Sequence, residues 1–301
     1  AALQHTSSSG RGEGAAGEKL EMSVAFPSAT RPQRRERKPV VWAHVHKSAG
    51  TMMCRLATLT ASERAPNAGF GCNQLSMDDY HLRGASSRWG GGTSGRRQWT
   101  TCADRKQWFA RTKYTWNAIE RELNDGDLCY DDFVYGVLLD HPLKRMQSMA
   151  RHWELLAEQV RLSLESKQAY PPEPVDYVIS CIQNRTCHPG TEWENFDNYG
   201  VRMFGGYEAM SQPPGGVGEA HLGAALAVLR RFHLVVPLAN LTSARAQAMM
   251  DSTIGWHVVP TNRTIKYLFP HPPLTARQRE SLRRLNALDI RLYEEMTAPW
   301  L

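Results

Sequence analysis

Residues 40–54 read VVWAHVHKSAGTMMC, and this stretch of sequence decides the fold. The run 40–46 is rich in β-branched and aromatic side chains without polar alternation, which is typical of a strand covered on both faces in a parallel sheet. The turn-forming residues 47–51 follow, and the pattern from Met52 onward is that of a helix. The stretch therefore predicts a strand, a tight turn and a helix in direct succession.

Two further buried strands are predicted at 133–139 (FVYGVLL) and 232–238 (FHLVVPL). A helix is predicted around 116–123, because the Asn-Asp-Gly signal that follows it is typical of a helix end. Pro142 is a natural first residue of a helix, and apolar residues recur behind it at three- and four-residue steps up to Leu164. This periodicity predicts a long amphipathic helix after the second strand.

Two more helices are predicted in the last part of the chain. One covers 243–254 and stops near Gly255, and the other is a closing helix that opens at the capping-box pattern of residues 275–278. Residues 171–215 are rich in proline, glycine and asparagine, which predicts irregular structure. Strands that alternate with helices indicate an α/β fold whose central parallel sheet is flanked by helices.

Composition indicates the domain organisation. The 301 residues carry 36 Lys and Arg against 30 Asp and Glu, a formal net charge of +6, and 42% of the side chains are hydrophobic. These values exclude collagen, coiled coil and wholesale disorder. Residues 1–38 are rich in Ser, Gly and Ala and hold seven basic against four acidic side chains. We expect them to form a flexible basic stem, a solvated linker rather than a nucleic-acid patch, ahead of a single domain at 39–301.

The sequence gives no sign of a membrane span. No apolar run approaches the roughly eighteen residues that a span needs. The chain also begins without an initiator Met or a charged-then-apolar signal segment. Any targeting or anchor segment has therefore either been removed or never existed, and we expect membrane contact only through such a missing N-terminal anchor, if there is any.

Six cysteines and three N-x-[ST] sequons bear on the cellular compartment. Cys181 and Cys187 flank the short loop CIQNRTC, which has a length that could close as a disulfide. The sequons stand at Asn184, Asn240 and Asn262, and glycan addition needs the secretory lumen. These features favour an oxidising compartment, and free cysteines in a cytosolic core are the alternative.

The ends of two predicted strands indicate a ligand site. Ligands of parallel α/β sheets lie at the carboxyl ends of strands, and the segments 46–48 and 140–142 both follow predicted strands. A tight turn that opens a helix presents N–H groups to an anion, and Lys47 adds a positive charge. The turn is not a Walker A loop, because Lys47 precedes Gly50, its only glycine. We expect the loop-rich segment 65–99 to form part of a substrate cleft.

The motif H-x-H-K-S-A-G-T at 44–51 resembles the 5′-phosphosulfate loop of the sulfotransferases that use 3′-phosphoadenosine 5′-phosphosulfate (PAPS). The Golgi carbohydrate sulfotransferases are the most similar group. A second signature of that family, R-D-P-x-x-R-x-x-S, corresponds to D-H-P-L-K-R-M-Q-S at 140–148. Its proline, its second arginine and its serine match, whereas its first two positions do not.

The resemblance covers nearly everything from Val40 onward and implies a P-loop-like sulfotransferase fold. It implies PAPS as the sulfuryl donor and 3′-phosphoadenosine 5′-phosphate (PAP) as the product. Asp140 places a carboxylate where the family has arginine, which would repel a phosphate unless Lys144 or another basic group compensates. The residues implied to bind the nucleotide are Lys47, Ser48, Ala49, Gly50, Thr51, Arg145 and Ser148.

Sulfuryl transfer depends on positioning and electrostatic stabilisation, because the charge is spread over the oxygens of the transferred group. Lys47 would neutralise charge on the leaving phosphate oxygen, and the acceptor hydroxyl needs a general base. The candidates for this base are His46, Glu120 and His44, in that order. One of the two histidines could instead belong to the core, and Glu120 on a helix could be a solvated charge. The chemistry requires no metal, and no His or Cys spacing indicates a zinc site.

These features together predict a sulfotransferase of the Golgi lumen, or a secreted one, with a glycan as the expected acceptor and no nucleic acid as partner. Two alternatives stay open. A P-loop kinase would need carboxylates that hold Mg²⁺, and Asp140 is the only obvious one. A non-catalytic protein could bind anionic glycans on the same fold.

Overall fold

A computed structural model describes residues 37–68, 71–73, 101–162, 174–187, 193–256 and 273–300. Most of the predicted stem at 1–38 and most of the predicted loop at 65–99 lie outside these residues. The described part contains one sheet of four parallel strands in the order β2-β1-β3-β4. The strands are β1 (Val40–Ala43), β2 (Trp116–Ile119), β3 (Val134–Leu139) and β4 (Leu234–Pro237). The predicted α/β class with a central parallel sheet is confirmed.

The predicted strand at 40–46 is shorter in the structure. β1 ends at Ala43, and the backbone N–H of His44 still donates to the Ile119 carbonyl at 2.8 Å. The chain then turns, because the N–H of Ser48 donates back to the Val45 carbonyl at 3.0 Å. The segment 44–46 therefore follows the strand and lies at its carboxyl end.

The helix predicted around 116–123 is wrong, since residues 116–119 form strand β2 and pair with β1 in register from Val40. The indole of Trp116 stacks between those of Trp42 and Trp256, with ring centroids 5.1 and 4.8 Å apart. Burial of three stacked indoles contributes more free energy than the small intrinsic preference of a four-residue segment for helix or strand. Tertiary packing therefore decides the structure here.

Ten α-helices are present among the described residues. They are α1 (Gly50–Arg55), α2 (Cys102–Thr112), α3 (Pro142–Leu162), α4 (Pro174–Asn184), α5 (Tyr199–Phe204), α6 (Gly206–Met210), α7 (Glu219–Leu229), α8 (Ala244–Ile254), α9 (Ala276–Leu285) and α10 (Ala287–Thr297). A π-helical turn, Leu56–Thr60, continues α1, and 3₁₀ turns cover Asp125–Asp127, Trp193–Phe196, Leu238–Asn240 and Ala298–Trp300.

The predicted starts of three helices are confirmed. α3 begins at Pro142, α8 is capped by the Ser243 side chain and stops at Gly255, and α9 opens with the reciprocal hydrogen bonds of Thr275 and Gln278. The closing helix, however, is two helices rather than one. The break falls at Asn286, whose side-chain amide donates to the Phe196 carbonyl at 2.7 Å.

The prediction of irregular structure at 171–215 is wrong, because α4, α5 and α6 all lie there. A buried arginine organises this region: Arg202 pairs with Asp197 at 2.5 Å and also donates to the carbonyls of Gln212 and Pro213 at 2.8 and 3.1 Å. A guanidinium with five donors can hold several chain segments together, and no local composition rule reports such long-range bonds.

Both faces of the sheet are covered. Alternate strand residues such as Val41 and Tyr135 face a core formed with α2, α5, α7 and α10, whereas Trp42 and Leu138 face a core formed with α1 and α8. A third cluster joins α3, α4 and α9. The near-continuous apolar strands therefore follow from burial on both sides, as predicted.

All six cysteines form disulfides, namely Cys54–Cys72, Cys102–Cys129 and Cys181–Cys187. The closed CIQNRTC loop predicted from sequence is thereby confirmed. Within the described ranges, no helix has both the length and the hydropathy of a membrane span.

Candidate functional site

The turn after β1 has an unusual backbone. Lys47 and Ala49 both have left-handed φ angles, 61° and 62°. Such conformations cost a residue with a Cβ about 1–2 kcal/mol, and they concentrate at functional sites. Ser48, between them, is 2% exposed, and its hydroxyl has no hydrogen-bond partner in the part of the chain that the structure describes. The turn therefore holds a buried polar group that these residues leave unsatisfied.

Gly50 is required by a neighbouring side chain. A Cβ placed on Gly50 would lie 1.7 Å from Cδ2 of the His44 ring. The first residue of α1 must therefore be glycine so that the His44 imidazole can lie against the helix start. In the sequence motif, this glycine is expected to let the backbone approach an anion. The structure adds a second reason for glycine, which is its packing against His44.

Glu120 lies between the two histidines. Its Oε1 is 3.4 Å from Nε2 of His44 and 3.4 Å from Nε2 of His46. Both imidazoles are almost buried, and the Glu120 side chain is 14% exposed. Glu120 was predicted to lie on a helix, but it directly follows strand β2. It therefore lies at the carboxyl edge of the sheet, beside the end of β1. All three predicted base candidates thus meet in one cluster.

Asn73 is a member of this cluster that the sequence did not reveal. Its Nδ2 donates to Oε2 of Glu120 at 3.2 Å, and its backbone bridges to Ala118 in β2. Asn73 follows Cys72, which is bonded to Cys54 on α1. Knowledge of that pairing would have placed Asn73 near the turn, but cysteine spacing alone does not give the pairing.

Arg145 lies on the first turn of α3, after β3. The residue is 2% exposed, its Nη2 donates to the Asn195 carbonyl at 2.6 Å, and its Nη1 has no hydrogen-bond partner among the described residues. Burial lowers the pKa of Arg145, and the charges of Asp289 and Asp140 act in the opposite direction. Ser148, one helical turn farther on, is also buried.

Tyr199 connects the two strand ends. Its ring packs edge-on against the His46 ring with centroids 5.7 Å apart, and the Arg145 guanidinium lies 4.9 Å from its centroid. The segment after β1 and the segment after β3 therefore contact the same side chain. No periodicity in the sequence indicated Tyr199, since it stands in the region predicted to be irregular.

Asp289 fixes the helix that carries Tyr199. Its two carboxylate oxygens accept the N–H groups of Gly200 and Val201 at 3.0 and 2.8 Å. Burial raises the pKa of Asp289, whereas the charge of Arg145 lowers it. The carboxylate thereby holds the first turn of α5 against the closing helix pair.

Asp140 and His141 occupy the positions where the chain departs from the family signature. Asp140 Oδ1 accepts the backbone N–H of His141 at 2.9 Å. The His141 ring packs against the Tyr293 ring with centroids 5.4 Å apart, and burial together with the charge of Lys144 lowers the pKa of His141. These side chains line the same strand end as Arg145.

Comparisons of the chain with protein-family models, with curated proteins and with solved structures found no match. In the described part of the chain, no group of three or more His, Cys, Asp or Glu side chains is arranged to hold a metal ion.

Proposed function

We propose that the protein is a sulfotransferase that moves the sulfuryl group of PAPS to a hydroxyl group, with a carbohydrate as the acceptor. One observation carries the proposal: Ser48 Oγ and Arg145 Nη1, two buried polar atoms with no hydrogen-bond partner within the described ranges, follow the neighbouring parallel strands β1 and β3. A buried donor without a partner costs about 1–3 kcal/mol. A ligand with an anionic group at each end would satisfy both.

The nucleotide would be held at its two ends by different segments. Lys47, Ser48 and the backbone from Ala49 to Thr51 would bind the 5′ end, and Arg145 with Ser148 would bind the 3′-phosphate. Bound PAPS supplies an activated sulfuryl group. The ammonium of Lys47 then stabilises negative charge that grows on the phosphate side, which is electrostatic catalysis by a group already in place.

Glu120 is the residue we assign as general base. It is the most exposed of the three clustered candidates, and Asn73 orients its carboxylate through the 3.2 Å hydrogen bond to Oε2. In this assignment Glu120 accepts the proton of the acceptor hydroxyl, and His44 and His46 stabilise the carboxylate from either side. The first candidate from sequence, His46, becomes a positioning residue that also contacts Tyr199.

The carboxylate of Asp140 is compatible with this proposal. One of its oxygens accepts the backbone N–H of His141, and its charge favours the protonated form of Arg145. Asp140 therefore supports the charge of the arginine that would bind phosphate. Asp140 replaces an arginine of the family signature, but the strand end still carries the positive charge of Arg145.

Titration calorimetry with PAP tests the proposal. We expect binding without Mg²⁺, loss of transfer from labelled PAPS in Lys47→Ala with an unchanged thermal midpoint, and weaker PAP binding in Arg145→Ala. Binding of ATP that depends on Mg²⁺ would instead indicate the kinase. A protein that binds no nucleotide yet is retained on sulfated glycan would be the non-catalytic binder. A panel of neutral and acidic glycans with labelled PAPS then identifies the acceptor.

A further inference from the structure

The side-chain amide of Asn195 is buried, and its polar atoms are unsatisfied by the described residues. The residue lies in the 3₁₀ turn Trp193–Phe196 and is 0% exposed, and among the residues that the structure describes neither its Nδ2 nor its Oδ1 has a hydrogen-bond partner. Nearly all buried polar side-chain atoms in proteins are paired, and each one left unpaired costs free energy of unfolding. An apolar residue of the same size would avoid this cost, so the amide calls for a physical explanation.

Asn195 contacts Arg145 through its backbone. The backbone carbonyl of Asn195 accepts from Arg145 Nη2 at 2.6 Å, and Nη1 of the same guanidinium has no partner. The nearby carboxylate of Asp289 is already occupied by two backbone N–H groups. Nη1 of Arg145 and the Asn195 amide are therefore two polar groups of contacting residues that have no hydrogen-bond partner in the described part of the chain.

The backbone around Asn195 is held in place. The next residue, Phe196, accepts the Asn286 amide at 2.7 Å, and Asp197 is bound by Arg202. These contacts fix the backbone of the turn, so Asn195 keeps its place beside Arg145. Fixed polar groups that wait for a ligand are what a preorganised binding site requires.

We propose that Asn195 is a further nucleotide-binding residue, which donates from Nδ2 to the 3′-phosphate bound by Arg145 and accepts at Oδ1 from the adjacent 2′-hydroxyl of the ribose. This inference rests on the proposed function. A nucleoside 3′-phosphate carries acceptor oxygens beside a hydroxyl donor, and an amide matches that pair because it has both a donor and an acceptor.

Calorimetry with three nucleotides tests this assignment on the full chain: PAP, its 2′-deoxy analogue and adenosine 5′-phosphate. A hydrogen bond to a charged group corresponds to about tenfold or more in affinity. We expect Asn195→Leu to weaken PAP binding by at least about tenfold. Adenosine 5′-phosphate, which keeps the 2′-hydroxyl but lacks the 3′-phosphate, should be weakened less. The wild-type protein should prefer PAP to its deoxy analogue, and the variant should not.

Stability separates this role from a structural one. Asn195→Leu removes an unsatisfied buried amide, so its thermal midpoint should stay unchanged or rise. A fall in the midpoint with equal weakening of PAP and adenosine 5′-phosphate would show a structural role and overturn the inference. Asn184→Leu, which changes an exposed amide, is the control and should alter no affinity.

The same data distinguish this inference from the proposed function. If the wild-type protein binds PAP, Arg145→Gln weakens it and Asn195→Leu does not, the inference about Asn195 is overturned and the proposed function stands. If the wild-type protein binds none of the three nucleotides, both are overturned.

Discussion

At the scale of single residues, Glu120 is the side chain that the other members of the candidate site contact. Its carboxylate contacts His44, His46 and Asn73, which come from the segments after β1 and before α2. A carboxylate held by three neighbours has a fixed orientation, and fixed orientation is what general base catalysis needs. The residue is therefore the sharpest test of the assigned chemistry.

Glu120→Gln keeps the size of the side chain and removes its ability to take a proton. We expect sulfuryl transfer to fall by about 10²–10⁴-fold while PAP affinity stays unchanged. Initial rates with labelled PAPS and calorimetry with PAP measure the two quantities. Glu208→Gln, on the exposed surface of α6, is the matched control and should transfer at the wild-type rate. Equal rates for the two variants would remove Glu120 as the base.

A second prediction concerns Gly50. Gly50→Ala would place a methyl group into the His44 ring, so we expect a loss of about 1–3 kcal/mol in the free energy of unfolding, together with lower transfer activity. Gly223→Ala in α7 is the control, because no atom lies within 4 Å of its added Cβ. That variant should gain about 0.5–1 kcal/mol from helix propensity. Urea unfolding compares the two, and a stable Gly50→Ala would contradict the packing.

At the scale of elements, the sequence predicts the strands that are buried on both faces and the helices that carry clear caps. β3, β4 and the starts of α3, α8 and α9 are of this kind, since local patterns specify them. β2 is different: its four residues become a strand through stacking of Trp116 between two distant indoles. For the same reason, Glu120 was a candidate from the sequence, but its location after a strand and its contact with Asn73 were not predicted.

A buried ion pair joins Arg105 on α2 to Asp127 in the 3₁₀ turn after β2, and it leads to a prediction at the scale of elements. Asp127 is fully buried and pairs with Arg121 at 2.6 Å and with Arg105 at 3.3 Å. Burial raises the pKa of Asp127, but the charges and hydrogen bonds of the two arginines outweigh it and hold that pKa below its usual value. Loss of the carboxylate would remove its ion pairs with two buried guanidinium groups.

Asp127→Asn is therefore expected to lower the free energy of unfolding by about 3–5 kcal/mol. Asp132→Asn is the control, because Asp132 pairs with Lys106 at the surface and such pairs contribute about 0–1 kcal/mol. Urea unfolding at neutral pH measures both. Equal effects of the two substitutions would show that the buried pair contributes no more than the surface pair.

At the scale of the whole molecule, two disulfides link distant segments in different ways. Cys54–Cys72 joins α1 to the residue before Asn73, whereas Cys102–Cys129 joins the start of α2 to the loop before β3. With sequence separations of 18 and 27 residues, each should contribute about 3 kcal/mol to stability. Only the first also supports a side chain of the site.

Replacement of each pair by serine separates these roles. We expect both double variants to lose about 3 kcal/mol in unfolding free energy. Transfer activity, measured well below the unfolding temperature, should fall only without Cys54–Cys72, because Asn73 then orients Glu120 less firmly. Equal activity losses in the two variants would show that the effect on the site is a general effect of stability.

The pH dependence of stability follows from two histidines that accept hydrogen bonds in their neutral form. Nδ1 of His233 accepts the N–H of Tyr135 at 3.1 Å, and Nδ1 of His141 accepts that of Leu143 at 3.3 Å. Burial is the main cause that lowers the pKa of each below the ordinary value of 6.5, with help from the positive charges of Lys38 and Lys144.

Below pH 6.5 the unfolded chain binds protons at these histidines more readily than the folded chain, so stability must fall as the pH falls. Above that pH both states are neutral at these positions and the contribution is fully present. We expect urea midpoints to be flat between about pH 7 and 8 and to decline towards about pH 5. His233→Gln, whose amide oxygen can still accept the Tyr135 N–H, should reduce the slope of that decline. A slope unchanged by this substitution would mean that other groups control the acid sensitivity of the fold.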